Sequence, residues 1–411
     1  MVGTLNSAQV VLPFLISTET FLRSLKLCRN LANGYLCAVV PRGKFPHCSP
    51  MKLALIRRQF SATGGAELYL QRLLQALVAG GHEPHLFAES WSGLLEGVGL
   101  HAVSASADRS MRATRFADAV ATELKKHSFD VIFSLERTHH QDVYRAGDGV
   151  HRVWLERRHQ FAQWWRRPFV CAGGFHRNML KLEARTFDPV NTRHVIVNSE
   201  MVRQEILKHF QFPAHRIHLV RNGVDLDRYR GGQRNATRAR FGIKPDDTLL
   251  LFVGSGWERK GLRFVLRALH QLKASGVKLL IVGKGQPPFA VPEGAIFTGP
   301  MSDVENAYAA ADMLVFLPIY EPSSNVVAEA LASDLPVITS SLNGASEMIT
   351  PGRNGAIIPD PRDTNAVVEA IRFWILQRGL VEKLPKNELS LERNVEETLA
   401  VLELAAREKQ R

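Results

Sequence analysis

From residue 51 onward the chain switches repeatedly between two hydrophobic periods. Lys52–Ile56 is a short aliphatic run, Gln59–Gly65 is a polar loop, and Ala66–Val78 places Leu70, Leu73, Leu74 and Leu77 at helical spacing. The exchange recurs, predicting strands at Pro84–Phe87, Asp130–Leu135 and His194–Asn198, with helices at Met111–Lys126 and Glu200–Phe210 between them. Continuous apolar runs separated by amphipathic helices belong to a parallel sheet covered on both faces. A second series then begins. Its strands are Thr248–Val253, Val277–Val282, Ile296–Thr298, Met313–Leu317 and Pro336–Thr339, and its helices include Gly261–Leu272 and Asn325–Ala332.

Two such series predict an α/β protein of two doubly wound, Rossmann-like domains facing across a cleft, with ligands expected at the carboxyl ends of both sets of strands. Residues 51–220 form the expected N-terminal domain and 221–385 the C-terminal domain, with 386–411 as a final helix. Arg221–Gly242, rich in Gly, Arg and Asp, reads as the linker.

Composition alters this picture in three ways. The first fifty residues hold Glu19 as their one acid against Arg23, Lys26, Arg29, Arg42 and Lys44, a surplus of four out of a net charge of +12. They are expected to be an extension outside the fold, or a transit segment, with the fold starting at Met51. The net charge favours an acidic partner. Cys28, Cys37, Cys48 and Cys171 have no CxxC spacing, which fits a reducing compartment and neither a disulfide framework nor a zinc site. No apolar run reaches 18 residues, so no membrane-spanning helix is expected.

The chemistry concentrates in EPSSNVVAE, from Glu321 to Glu329, directly after an apolar strand. Ser323, Ser324 and Asn325 suit a helix start, where free N–H groups and the dipole favour an anion. A diphosphate there, with a carboxylate on either side for sugar hydroxyls, makes a coherent donor site. An ordinary capped helix with incidental acids is the plainer alternative.

The two glutamates eight apart resemble the signature of the family 4 glycosyltransferases, retaining enzymes of GT-B fold. Asn222-Gly223-Val224-Asp225 resembles that family's interdomain segment. LFVGSGWERKG, from Leu251 to Gly261, resembles its donor-domain strand and phosphate-binding lysine. Gly64-Gly65-Ala66-Glu67 resembles its N-terminal glycine loop. DVYRAGDG, from Asp142 to Gly149, is similar to a stretch of the lipopolysaccharide core glucosyltransferases within the family.

The resemblance implies roles. Glu321 would contact the donor sugar, Glu329 the ribose hydroxyls, and Lys260 the diphosphate. Ser324, Asn325 and Val326 would complete the donor site, and Gly64 and Gly65 would allow close backbone approach. Asp148 would lie near the anomeric carbon. Where the family usually has an arginine several residues before the lysine, this chain has Ser255 and Gly256, and Arg259 is the expected substitute. Glucose from UDP-glucose onto a heptose of a glycolipid core acceptor is the implied reaction, with galactose or a mannose donor left open, by front-face attack and without a metal ion or cofactor. Asp225-Leu-Asp227 matches a metal-binding DxD pattern but falls in the linker, and His139 and His140 are expected to be surface or cleft residues.

His151–Phe169, HRVWLERRHQFAQWWRRPF, is basic and aromatic. Trp154, Phe161 and Trp165 share a face at helical spacing, with Arg157 and Arg158 lying away from it. This predicts a membrane-surface helix also using Trp164, Arg166 and Arg167, on a cytoplasmic protein attached peripherally to the inner face of the cytoplasmic membrane, the plainer alternative being a partly buried helix of the N-terminal domain with a solvated basic face. Nucleic acid is not an expected partner, because no recognisable module accompanies the charge. Two rival readings share the fold. A nucleotide-sugar epimerase would act on donor alone, and a non-catalytic membrane scaffold would not need Glu321, Glu329 and Lys260 intact.

Overall fold

The computed structural model describes residues 50–60, 65–93, 96–105, 108–272, 276–286 and 291–411. The first series supplies strands β1 (Lys52–Ile56), β2 (Gln59–Phe60), β3 (Glu83–Ala88), β4 (Ser90–Trp91), β5 (Gly99–Ala102), β6 (Val131–Ser134), β7 (Gln141–Arg145), β8 (Thr192–Val197) and β9 (Ile217–Leu219). Seven of them form one parallel sheet in the order β5-β3-β1-β6-β7-β8-β9, while β2 and β4 pair separately. The second series gives β10 (Thr248–Val253), β11 (Val277–Val282), β12 (Ala295–Gly299), β13 (Met313–Phe316), β14 (Val337–Ser340) and β15 (Gly355–Ile358), in the order β12-β11-β10-β13-β14-β15. In each sheet the first strand sits inside and the order reverses beside it, Leu53 pairing with both Pro84 and Val131 and Leu250 with both Leu279 and Met313. That reversal opens a crevice at the carboxyl ends of the strands.

The strands found by pattern are those whose side chains are buried on both faces, such as Leu53, Leu55, Leu250 and Leu314. β7 escapes the pattern because it is polar. Gln141 bonds to Thr138 and Thr192, and the Asp142 carboxylate accepts from the Ile132 amide at 2.9 Å and from Lys409 Nζ at 2.9 Å. Buried polar groups are tolerated in a strand when every partner is supplied.

The linker is shorter than expected. Most of 221–242 is helical, at Leu226–Arg230 and Arg234–Arg240, and the second helix is tied to the C-terminal half by Arg234 and Arg238 on Asp312, at 2.6 and 3.4 Å. The chain passes between the halves near Val224 and again near Ser390. The two passages lie side by side, with the Val224 amide donating to the Leu389 carbonyl at 2.8 Å. A Cβ on Gly223 would sit 2.5 Å from Leu391 Cα, so this approach needs glycine. The last helix, Leu391–Lys409, returns to the N-terminal half, where Val395, Leu399, Leu402 and Ala405 join the core of Leu53, Leu73 and Val131.

Candidate active site

Because every strand of both sheets is parallel, the loops after β1, β6, β7, β8 and β9 face the same crevice as those after β10 and β13. A cavity of about 280 Å³ lies between them, with Asp148, Arg145, Arg57 and Asn222 on one wall and Lys260, Glu321 and Ser323–Val326 on the other. Lys260, Glu321, Asp148, Ser324, Asn325 and Val326 are therefore brought together as the sequence suggested. Gly64 lies outside the described residues. Gly65 opens the helix Gly65–Ala79, which follows the loop after β1.

Lys260 occupies the turn between β10 and the helix Leu262–Leu272. A Cβ on Gly254 would come within 2.6 Å of the lysine Cδ, so glycine there lets the lysine stem lie along the loop, and one on Gly261 would sit 1.7 Å from the Leu317 carbonyl oxygen, so glycine there lets the turn pack on the end of β13. Its Nζ sits 5.4 Å from the centre of the Phe316 ring. Burial pushes the ammonium below its ordinary value, opposed by the charge of Glu321. A cation held partly out of water without a bonded carboxylate gains most from an anionic ligand.

Glu321 follows β13 in extended backbone, its amide donating to the Leu342 carbonyl at 3.0 Å. Arg259 Nη1 reaches its carboxylate at 2.9 Å, so Arg259 lies beside the donor pair. The helix Asn325–Ala332 begins unusually. Ser324 precedes it, but its hydroxyl accepts from Asn343 Nδ2 at 2.9 Å and caps no amide of the helix. Among the described residues no protein acceptor takes the amides of Asn325 and Val326, at a helix start bordering the cavity.

Glu329 is set apart. It is one turn into this helix and does not border the cavity. The Tyr308 hydroxyl donates to its Oε2 at 2.6 Å. Burial pushes its carboxyl upward, while bonds from Tyr308 and Tyr229 and the charges of Arg228 and Lys260 pull it down.

Several residues hold the site through bonds that no local pattern shows. Fully buried Asn343 holds the donor loop by accepting from the Ser324 amide at 3.3 Å and donating to Ser324 Oγ. Asn222 donates to the Ser323 carbonyl at 3.1 Å and to Asn325 Oδ1 at 2.8 Å, and receives Arg145 Nη2 at 3.0 Å. Arg145 in turn lies 4.2 Å from the centre of the Tyr69 ring. Behind Arg57 on the Asp148 wall, Glu136 accepts from the Arg58 amide at 3.2 Å and from Arg57 Nη1 at 3.3 Å. Burial raises its carboxyl above the usual range, against the pull of Arg57 and with the push of Asp148.

The loop bearing Asp148 is anchored from beneath by a buried ion pair. Arg137 Nη2 donates to the Gly149 carbonyl at 2.7 Å and to Glu183 Oε1 at 3.0 Å. Glu183, fully buried, also accepts from the His151 amide at 2.6 Å and from the Arg152 amide at 3.1 Å, capping the helix His151–Phe161. Gly149 has φ +67°, and a Cβ there would meet the Tyr320 hydroxyl at 2.4 Å, so the loop touches the other half directly.

The single amphipathic helix expected across His151–Phe169 does not form. The helix stops at Phe161, Ala162 and Gln163 are not helical, and a 3₁₀ turn spans Trp164–Phe169 with Pro168 inside it. Phe161 is drawn into the C-terminal core against Phe264, at 6.1 Å between ring centres, and Trp154 packs toward Tyr320. Trp164, Trp165 and Phe169 are instead left 80%, 50% and 72% exposed. Arg166 stacks over Trp165 at 4.5 Å, Arg167 bonds the Ala162 carbonyl at 3.4 Å, Arg157 pairs with Gln160, and Arg158 meets His176 at 3.3 Å. Between this segment and the helix Leu262–Leu272 runs an open groove of about 1690 Å³ carrying Arg158, Arg166, Arg259, Arg263 and Arg267.

Two decoys find other work. Asp225 caps the helix Leu226–Arg230 and pairs with Arg72 at 3.7 Å, and His139 bonds Asp118 at 2.7 Å. Among the described residues no helix is long and apolar enough to cross a membrane.

Residues 63–228 match the family model Glycosyltransferase Family 4, and residues 247–376 match Glycosyl transferases group 1. The lipopolysaccharide glucosyltransferase WaaG of Escherichia coli strain K12 is 25% identical over 349 residues, covering 80% of this chain and 91% of that protein. The D-inositol 3-phosphate glycosyltransferase of Mycolicibacterium smegmatis is 33% identical over 181 residues, 40% of this chain and 41% of that one. In fold the chain is similar to the crystal structure of WaaG, with a TM-score of 0.69 at 24% identity over 86% of this chain and 98% of that chain. It is also similar to Anabaena HepE in complex with UDP-glucose, with a TM-score of 0.61 at 16% identity over 86% and 100%.

Proposed function

We propose, for a chain that belongs to the family 4 glycosyltransferases, a retaining hexosyltransferase that takes glucose from UDP-glucose and places it on a glycolipid acceptor of the lipopolysaccharide core type. One observation carries the reading. Lys260, Glu321 and the uncapped start of the helix Asn325–Ala332 share a single cavity with Asp148 across the crevice. The Lys260 ammonium and the free amides receive the diphosphate, Glu321 takes sugar hydroxyls, and Asp148 lies beside the anomeric carbon. Glu329 lies outside the cavity of Lys260 and Glu321, so its part is at the nucleoside beyond the diphosphate, where a carboxylate oriented by Tyr308 and Tyr229 takes the ribose hydroxyls.

In the reaction the bond from the anomeric carbon to the diphosphate oxygen breaks while the acceptor oxygen bonds the same face of that carbon. The acceptor proton passes to the departing phosphate. The protein supplies positioning and a field set against the growing charge of the leaving group, and no metal ion or cofactor enters the scheme. WaaG is a lipopolysaccharide glucosyltransferase and HepE was solved with UDP-glucose, which supports this choice of donor and acceptor. Incubation with a panel of UDP- and GDP-sugars should show hydrolysis of UDP-glucose in preference to the others. Preference for a GDP-sugar, or an epimer formed from donor alone, would overturn the assignment.

The two glutamates separate in a binding measurement. Glu329→Gln should weaken UDP binding by about tenfold or more, as expected for a lost charged hydrogen bond. Glu321→Gln should keep UDP affinity within about threefold while transfer falls by about tenfold or more. Titration of UDP by calorimetry reads both, and equal losses would contradict the division of roles.

The acceptor reaches the cleft from a membrane surface, in this reading of a peripheral cytoplasmic enzyme. The exposed Trp164, Trp165 and Phe169 suit the headgroup zone, the neighbouring arginines suit anionic phosphates, and the arginine-lined groove adjoins the donor site through Arg259. Replacing Arg157, Arg158, Arg166 and Arg167 together by glutamine should release the protein from anionic vesicles and spare UDP binding. Undiminished vesicle binding at low and moderate salt would refute the docking.

A further inference from the structure

On the outer edge of the N-terminal sheet, imidazoles gather for which the sugar chemistry has no use. His85 lies on β3 and His101 on the edge strand β5, while Glu123 and His127 come from the end of the helix Arg112–Leu124 and the turn beyond it. Glu123 and His127 are four residues apart, and the His127 amide donates to the Leu124 carbonyl at 3.2 Å, so the turn keeps both on one side. One ligand atom from each of His101, Glu123 and His127 lies within 4.8 Å of the other two. We propose that these three side chains bind a divalent transition-metal ion, zinc being the best match.

The donor set supports the choice. Two neutral imidazoles and one carboxylate suit zinc, and three protein ligands leave a fourth position for water. Zinc–ligand bonds of about 2.0–2.1 Å place tetrahedral ligands roughly 3.3 Å apart. The side chains must therefore draw closer than in the metal-free arrangement, in which the exposed His127 ring packs edge-on to His101 with centroids 4.6 Å apart and its Nε2 already lies 3.7 Å from Glu123 Oε1. The competing pair between Glu123 and Lys126 at 2.8 Å is at the surface and holds Glu123 weakly.

A second observation concerns the hydrogen bonds behind His101. His85 Nε2 lies 2.8 Å from Glu83 Oε1, and His85 Nδ1 lies 2.9 Å from His101 Nε2. The carboxylate accepts, so His85 carries its proton on Nε2, and its Nδ1 accepts from His101 Nε2–H. That leaves the His101 Nδ1 lone pair for a cation. Phe87 stacks on the same ring, with centroids 4.3 Å apart and planes within 3°. A carboxylate–imidazole chain of this kind fixes the tautomer and orientation of a metal-ligating histidine.

The ion would join the edge strand β5 to the end of a helix, on a part of the N-terminal half that contributes nothing to the donor cavity. Its expected effect is on stability rather than turnover. Tag-free full-length chain, stripped with a chelator and dialysed, should take up one equivalent of Zn²⁺ in calorimetric titration, and its thermal midpoint should rise with Zn²⁺. His127→Ala and Glu123→Gln, both near the surface, should each weaken that binding by about tenfold or more. X-ray absorption at the zinc edge should show two imidazole ligands, and Mg²⁺ should give no saturable binding. The chain holds 15 histidines, so the variants decide the location. Absence of stoichiometric Zn²⁺ binding in the parent, or parental binding by both variants, would overturn the proposal.

Discussion

Lys260→Ala should slow sugar transfer by about two to three orders of magnitude, the cost typical of losing one group that stabilises developing negative charge. The expectation follows from where the ammonium is kept. It lies along a glycine-lined turn beside the uncapped start of the helix Asn325–Ala332, and burial already holds it below its ordinary value. Without donor this buried charge is a burden, so the variant's thermal midpoint should equal or exceed that of the parent. With UDP present the order should reverse, because the parent gains binding energy that the variant lacks. Transfer at the parental rate would show that the donor diphosphate does not sit against Lys260. A fall in the donor-free midpoint would show that the lysine serves the fold.

Glu183→Ala should cost about 3–5 kcal/mol of stability, since it leaves the Arg137 guanidinium buried and unpaired. Glu183 and Arg137 meet at 3.0 Å, with side chains 1% and 9% exposed. The same substitution uncaps the helix His151–Phe161, which takes two amide bonds from the Glu183 carboxylate. Glu183→Gln keeps an acceptor for one of those amides, so its loss should be smaller. Urea unfolding followed by circular dichroism orders the three proteins. A Glu183→Ala midpoint equal to that of the parent would show that the pair contributes nothing net.

Neither Glu183 nor Arg137 stood out in the sequence, and the reason is general to this molecule. β1, β10 and β13 were legible because they are apolar on both faces and need no partner outside the sheet to identify them. The run from Glu321 to Asn325 was legible because strand, loop and helix start are contiguous. β7 was not, since Gln141 and Asp142 look like loop residues until Thr192 and Lys409 are brought to them. Asn343, Asn222 and Arg145 hold the donor loop through bonds that span 19 to 103 positions. The basic aromatic segment shows the limit from the other side. Its helical spacing is real as far as Phe161, where the C-terminal core captures the ring and turns the chain.

The paired passages at Val224 and Ser390 restrict the ways the two halves can move apart. A single connecting strand would let the halves swing and twist in any direction. Two strands bonded at 2.8 Å between the Val224 amide and the Leu389 carbonyl, pressed together at Gly223, behave instead as a flat strap. Two side-by-side links bend together about the line through both and oppose rotation of one half about either link, so opening is expected as rotation chiefly about one axis. Lys260 and Asp148 would then separate and meet again along the same arc in every cycle, and registration of donor against acceptor would not be searched for anew. Gly223→Ala should splay the strap and, because Gly223 also borders the donor cavity, should disturb both the axis and the Asn222 bonds to the donor loop, read as a fall in transfer rate together with weaker UDP binding.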